Sequence, residues 1–381
     1  MAPLKTLLCT YPIERKYNDL FAQLRATFET VHFYPGEDGS GTETEYGPIE
    51  LPPPEVYASC DAILAFVMPT NLTNISQTPR LKLWGIVGSG TRMVTDTDFY
   101  RSIPEGHPLR FFNLAGCHSI SISEHVIMTT LMHFHRMSRC IEASRQQHWA
   151  GPMELGGPSG SLFIRELRSL TVGILAYGGI SREIARLFSA FGSKVIVCTR
   201  AGKPQQHTGF RIEGTGDPDG SIPSKYYGMD KESVKEFLVQ CDVVVSMLPS
   251  SQATYQFIGR EELTVMKDNA LFVNCGRGDT VDTAALIDAL SSKEAATGKS
   301  GTFQIGGASL DVTDPEPLPD GHVLFSMDNV IVTPHCSYAS ESMYDRVMKL
   351  LMENKVLVEK GAPVLNEQGD GKREAAAARA T

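Results

Sequence analysis

The sequence has no C-x-x-C pair, no basic run and no apolar run that approaches the length of a membrane span. The first absence removes zinc knuckles and a disulfide framework. Its eight cysteines (Cys9, Cys60, Cys117, Cys140, Cys198, Cys241, Cys275, Cys336) are scattered, which suits a reducing compartment. The second argues against nucleic acid as a partner, since a formal net charge of −9 offers little to neutralise phosphates. A small acidic substrate would need a local cationic site instead. The third argues against a membrane partner, and the opening MAPLKTLLCTYPIERK is interrupted too soon for a secretory signal. A cytoplasmic protein is expected. His125, His133 and His135 are spaced as helix-face residues, so no metal is expected.

What is present is a long alternation of strand-like and helix-like runs. A chain of 381 residues suggests about two domains, each able to bury its own core. LKTLLCT (4 to 10), NDLFAQLRATF, TVHFYPG, CDAILAFV (60 to 67), LKLWGIVGSG (81 to 90) and LRFFNLAG (109 to 116) predict a parallel α/β sheet. In SISISEHVIMTTLMHFHRMSRCIEASRQ, Ser121 and Glu124 have capping-box spacing, and Ile127, Leu131, Phe134, Met137 and Ile141 keep helical period. One long helix is predicted there, then a linker, AGPMELGGPSGS. From Thr171, the runs SLTVGIL, SKVIVCTR, CDVVVSML, NALFVNCG, GASLDV and NVIVTP predict a doubly wound nucleotide-binding sheet. Residues 205 to 228 and 293 to 304 read as insertions. The TGKS in the second is no phosphate loop, because Lys293 stands where that pattern needs its first glycine. The end of the chain, 366 to 381, reads as a disordered tail.

The stretch GILAYGGISREIA (173 to 185) poses the central question. A dinucleotide-binding turn uses one glycine for the tight turn, a second to admit the pyrophosphate and a third for helix packing. Ala176, Gly178 and Ser181 occupy those positions. The second is intact and the third is small, whereas a Cβ at Ala176 costs about 1 kcal/mol in a left-handed turn. Gly178, Gly179 and Ile180 would present the amides. Alternatively the stretch is an ordinary strand-to-helix turn. About 20 residues on, Thr199 and Arg200 replace the acid that would bind a ribose 2′-hydroxyl, and Arg200 with Lys203 could hold a 2′-phosphate. Arg200 reads otherwise as a solvated strand-end cation.

VNCGRGDTVD (273 to 282), SLDVTDPEPLP (309 to 319) and VIVTPHCSYAS (330 to 340), in this order after such a turn, resemble the D-isomer-specific 2-hydroxyacid dehydrogenases, including glyoxylate and hydroxypyruvate reductases. The resemblance covers roughly residues 50 to 355. It implies Arg277, Glu316 and His335 as the catalytic set. A guanidinium suits a 2-keto acid because two parallel hydrogen bonds grip its carboxylate and polarise its carbonyl. An imidazolium suits protonation of the alkoxide left by reduction, and a carboxylate beside it orients the ring. Taken singly, Arg277 could cap a loop, Glu316 could be a solvated turn residue, and His335 could be a buried histidine.

The same resemblance implies that Gly88, Ser89 and Gly90 hold the substrate carboxylate and that Leu248, Pro249, Cys275 and Asp311 face the cofactor. Glu124 and His125 match the start of the family's interdomain helix. The departures are Ala176 and Ser181, Thr313 where the family usually has Phe, and His118 and Glu316 where formate dehydrogenases carry Asn and Gln. Formate oxidation is thereby disfavoured. The expected architecture is α/β, with a Rossmann cofactor domain (146 to 336) inserted in a discontinuous flavodoxin-like substrate domain (1 to 145 and 337 to 365) and the active site in the cleft. The expected reaction is reduction of a 2-keto acid by NADPH, with NADH a possible substitute, in a homodimer. The alternatives are a dinucleotide-binding corepressor-like protein of the C-terminal-binding-protein type and a phosphoglycerate dehydrogenase. The latter is weakened because no regulatory domain is evident after Gly361.

Overall fold

The computed structural model describes residues 2–11, 18–35, 50–156, 164–291 and 305–368. The insertion at 293 to 304 and residues 369 to 381 of the expected tail lie outside them, whereas Asn366, Glu367 and Gln368, expected in that disordered tail, are hydrogen-bonded into the first sheet. Two compact units are present: Met1–Cys117, Thr208–Phe210 and Glu341–Thr381 in one, His118–His207 and Arg211–Ser340 in the other.

In the first unit, β1 (Thr6–Cys9), β2 (Thr30–Phe33), β3 (Ala62–Ala65), β4 (Leu83–Ile86) and β5 (Arg110–Asn113) are all parallel. Strands β1, β3 and β4 are buried throughout, as expected of strands covered on both faces. Trp84 anchors one face, its ring 5.2 Å from Phe99 and 6.1 Å from Phe111.

The second unit is a seven-stranded parallel sheet. Its strands are β6 (Thr171–Leu175), β7 (Lys194–Cys198), β8 (Lys225–Tyr227), β9 (Val243–Ser246), β10 (Leu271–Asn274), β11 (Gly307–Leu310) and β12 (Val330–Val332), in the order β12-β11-β10-β9-β6-β7-β8. The reversal of strand order at β6 is the doubly wound pattern, whose ligands bind beyond the carboxyl ends of the strands. Six of the seven strands are those the apolar runs predict. The seventh, β8, ends the stretch from Gln205 to Gly228, so that stretch supplies an edge strand and is not wholly an insertion. The chain then returns to the first unit through helix Met343–Glu359 and β13 (Glu367–Gln368), which pairs antiparallel with β5 and gives that sheet its sixth strand.

The single long helix expected after residue 118 is two. Ser119–Phe134 ends where Arg136 takes φ +57°, and Met137–Arg145 starts a new direction. Nor is the Ser121–Glu124 capping box used. The helix begins before it, at Ser119, and Ser121 Oγ donates to the carbonyls of His118 and Tyr338, 3.3 Å from each. Within the predicted linker, Pro152–Gly156 forms a short helix. No helix of the described residues is long and apolar enough to cross a membrane.

Helix Ser119–Phe134 packs Ile122, Val126 and Phe134 against Ile184, Ala185 and Phe188 of helix Gly179–Ala190. Its His133 lies on β11, where any side chain at Gly307 would come within 2.1 Å of Cε1. Burial, with help from Arg136 and Arg165, pushes this imidazole from 6.5 down to about 4. A histidine kept neutral in the fold but protonated when unfolded makes the unfolded state bind more protons. Its contribution to stability is therefore complete above pH 6.5 and is lost as the pH falls toward 4. Urea melts across this range should show stability declining below pH 6.5, with a shallower decline in His133→Gln; an unchanged slope would exclude His133 as a cause.

Candidate active site

Thr199, Arg200, Arg277, Asp311, Glu316 and His335, singled out from the sequence of the second unit, lie at or beyond the carboxyl ends of its strands. After β6 the backbone turns left-handed at Ala176, with φ +68°, where a Cβ is unfavourable. Gly178 caps helix Gly179–Ala190 without a side-chain partner, and a Cβ on it would meet no protein atom within 4 Å. Nothing in the protein demands glycine there, so the open face is available to a ligand. Helix geometry leaves the N–H groups of Gly179, Ile180 and Ser181 unpartnered within the helix, with partial positive charge concentrated on them. These features fit a pyrophosphate. Ser181 is buried, as a helix-packing position requires.

After β7, Thr199 organises a tight turn: its Oγ1 accepts from the Gly202 amide at 3.1 Å, and its own amide donates to the Tyr227 carbonyl at 2.9 Å. Arg200 and Lys203 are exposed on that turn, with no hydrogen bond or ion pair to the described residues. After β9, Leu248 is buried and Pro249 exposed. A Cβ at Gly276 would lie 2.7 Å from the Leu248 carbonyl oxygen, so glycine allows the β9 and β10 loops to touch. Cys275 is buried, and burial pushes its thiol far above the usual range.

The loop after β10 holds Arg277 by its backbone. The Arg277 carbonyl accepts from Asn274 Nδ2 at 3.0 Å and from Thr280 Oγ1 at 2.6 Å, while its guanidinium donates to the Gly276 carbonyl at 2.6 Å. Gly278 allows a close approach to the β11 loop, because a Cβ there would fall 1.9 Å from the Thr313 carbonyl oxygen. The Arg277 loop is thus set against the turn that carries Glu316. In turn, Glu316 Oε1 lies 2.6 Å from His335 Nδ1, and both side chains remain about two-fifths exposed. The structure therefore brings the three residues onto the ends of the adjacent strands β10, β11 and β12.

His335 itself stands at φ +48°, in the left-handed region. What holds it there is Asp311. This carboxylate is almost fully buried and accepts from Thr333 Oγ1 at 2.6 Å, the Cys336 amide at 3.1 Å, the Ser337 amide at 3.2 Å and Ser337 Oγ at 2.5 Å. The Asp311 carbonyl also accepts from the His335 amide at 2.9 Å. His125 reaches the same knot, with Nε2 3.2 Å from Thr333 Oγ1, and burial lowers its pKa against the pull of Asp311. The resemblance gave Asp311 a place facing the cofactor; its oxygens are turned to the His335 loop. On the outer side of that loop, the Tyr338 ring stands edge-to-face with both His335 (5.9 Å) and His118 (5.8 Å).

Gly88, Ser89 and Gly90 belong to the first unit. Gly88 has φ +154°, its carbonyl accepts from the Leu114 amide at 2.9 Å, and the Ser89 carbonyl accepts from Asn113 Nδ2 at 2.9 Å. Among the described residues, no group of three or more His, Cys, Asp and Glu side chains could hold a metal ion.

Sequence reasoning missed the knot around Asp311 and a buried network around Tyr177, Arg182, Glu183 and Asp217. Asp217 sits in GTGDPDGS, which reads as a solvated turn. No periodicity marks it.

Residues 127–337 match the family model described as D-isomer specific 2-hydroxyacid dehydrogenase, NAD binding domain. A glyoxylate reductase of Aeropyrum pernix is 34% identical over 51% of this chain and 50% of its own. A glycerate dehydrogenase of Methylorubrum extorquens is 28% identical over 78% of this chain and 82% of its own. Among solved structures, a D-isomer specific 2-hydroxyacid dehydrogenase from Xanthobacter autotrophicus, in complex with NADPH and MES, is 25% identical. It superposes with a TM-score of 0.70 over 97% of this chain and 99% of that one.

Proposed function

The chain belongs to the D-isomer specific 2-hydroxyacid dehydrogenase family, oxidoreductases acting on CH–OH groups with a dinucleotide-binding domain, and on that premise we propose that it is a 2-keto acid reductase using NADPH. The observation that carries the reading is the 2.6 Å contact of Glu316 with His335 Nδ1, on the strand neighbouring the Arg277 loop. Ala176, Gly178, Gly179 and Ile180 are proposed to hold the pyrophosphate, and Leu248, Pro249, Cys275 and Asp311 to line or support the cofactor's place. When bound, the reduced dinucleotide supplies a hydride.

The protein's own groups do the rest. Arg277 grips the substrate carboxylate and draws electron density toward the carbonyl oxygen, where negative charge develops. The Ser89 and Gly90 amides are proposed as further donors to the carboxylate. Glu316 occupies His335 Nδ1, so the ring is fixed in orientation and Nε2 is left to deliver a proton to the forming alkoxide. Arg277→Ala should cost about 2 to 4 kcal/mol of transition-state binding, read as a large fall in kcat/KM for glyoxylate or hydroxypyruvate. His335→Ala should chiefly lower kcat. An unchanged rate in Arg277→Ala would refute the assignment.

The cofactor preference rests on Arg200 and Lys203, two exposed cations on the turn ordered by Thr199, where a carboxylate would repel a 2′-phosphate. NADPH should be the better reductant in side-by-side kinetics, and Arg200→Ala should raise its KM. A lower KM for NADH in the parent protein, or an NADPH KM unmoved by Arg200→Ala, would overturn the preference.

The homodimer reading has support in the second unit. Met128, Leu131, Met132, Leu187 and Phe191 line an open apolar concavity of about 580 Å³, with Met128 and Phe191 nearly half exposed. Trp149 is 97% exposed in the segment after helix Met137–Arg145. A chain that carries both an apolar hollow and an outstanding apolar knob can pair with a second copy of itself. Light scattering should give twice the chain mass, and Met128→Glu should reduce it to one. A monomeric parent at micromolar concentration would exclude the dimer.

A further inference from the structure

The left-handed turn at Ala176 should be destabilised by its Cβ, yet this chain keeps it where a glycine would cost less. Immediately next to Ala176, the Tyr177 hydroxyl donates to Asp217 Oδ2 at 2.6 Å. Asp217 is only 2% exposed, and its two oxygens also take the amides of Ser221 (3.1 Å) and Ile222 (3.2 Å). Arg182, in the first turns of the following helix and only 4% exposed, donates to the carbonyls of Asp217 and Gln205, the latter at 2.7 Å. Its guanidinium lies 4.8 Å from the centre of the Tyr177 ring. Beside it Glu183, also buried, accepts from the Gly216 amide at 2.6 Å and is paired with Arg186. Three side chains at the start of the cofactor helix are therefore fastened to one folded stretch, Gln205–His207 and Arg211–Ile222.

We propose that this stretch is a brace: Asp217 and Arg182 are positioning residues that hold the Ala176–Gly178 turn in its binding conformation, replacing the conformational freedom a glycine would supply. The inference rests on the dinucleotide reading of that turn. The geometry favours a brace over a simple surface loop for two reasons. A buried carboxylate and a buried guanidinium are costly unless their polar atoms are partnered; here both Asp217 oxygens and both terminal Arg182 nitrogens are, with only Arg182 Nε lacking a partner among the described residues, and both groups converge on the residue adjoining the left-handed one. And the turn's own amide contact, Ala176 N–H to the Cys198 carbonyl at 2.9 Å, fixes only one side of it. The Tyr177 bond fixes the other. Burial, with Asp217 as acceptor, pushes the Tyr177 hydroxyl far above its usual pKa, so it stays a donor throughout the working pH range.

The test is a double-mutant cycle. If the brace does the work of a glycine, its loss matters in the parent and matters little once glycine is supplied. Tyr177→Phe should raise both Kd and KM for NADPH about tenfold with little change in kcat, and the same substitution on an Ala176→Gly background should raise them less than about threefold. Asp217→Asn provides a second entry to the same cycle if Tyr177→Phe does not fold. Equal losses on both backgrounds would mean that the network is merely structural, and the proposal fails. Hydrogen exchange of the peptide from Leu175 to Arg186, measured without any cofactor, reads the brace independently. Exchange there should quicken in Tyr177→Phe and slow again when Ala176→Gly is added, and unchanged exchange in Tyr177→Phe overturns the brace. Absence of NADPH and NADH binding in the parent would sink the cofactor reading, while the exchange data would still decide the brace.

Discussion

A parallel sheet covered on both faces leaves its strands little place for charged side chains, and this constraint decides where chemistry can occur. Strands β6, β9 and β10 are buried almost from end to end. Charge and hydrogen-bonding capacity are expelled to the carboxyl ends, where the backbone leaves the sheet. Because the strands are parallel, those ends lie on one edge. Ala176, Arg200, Leu248, Arg277, Asp311 and His335 follow six strands that are neighbours in the sheet. The assembly of the proposed catalytic set from distant parts of the sequence is thus a direct consequence of strand polarity.

Convergence of strand ends does not fix side-chain geometry, and here buried carboxylates do. Asp311 takes four hydrogen bonds from Thr333, Cys336 and Ser337, and in doing so stabilises a loop that would otherwise resist φ +48° at His335. The strain of such a residue is of order 1 to 3 kcal/mol, comparable with one or two charge-assisted hydrogen bonds. The surplus of contacts explains why the loop can hold an unfavourable backbone angle. The cost of Asp311's own burial is met because each oxygen has two donors.

The legible part of the molecule was the part with local signals. Runs such as VIVC and VVVS mark buried strands by composition alone, and the order of Arg277, Glu316 and His335 across three strand ends carried the resemblance. The illegible part depends on pairs far apart in sequence. Arg136 gives no sign that it will turn left-handed and break the helix. Ser121 and Glu124 have the spacing of a cap, but the loop that carries Tyr338 supplies another acceptor for Ser121. GTGDPDGS has the composition of a solvated loop, and only the fold reveals that its first aspartate is buried against Tyr177.

That last case bears on how glycine patterns should be read. A glycine motif records the cheapest way to reach a backbone conformation, since glycine enters the left-handed region without steric penalty. The conformation itself is what binds phosphate, through amides that any residue possesses. A sequence can therefore lose the glycine and keep the turn if other contacts make up about 1 kcal/mol, which one well-placed buried hydrogen bond can do. The positions differ in this respect. At 176 the obstacle is the residue's own backbone energy, which neighbours can offset. At 178 a side chain would fill the open space that the proposed pyrophosphate site needs, and no contact elsewhere could restore that space. This chain varies the first and keeps the second, as steric reasoning requires.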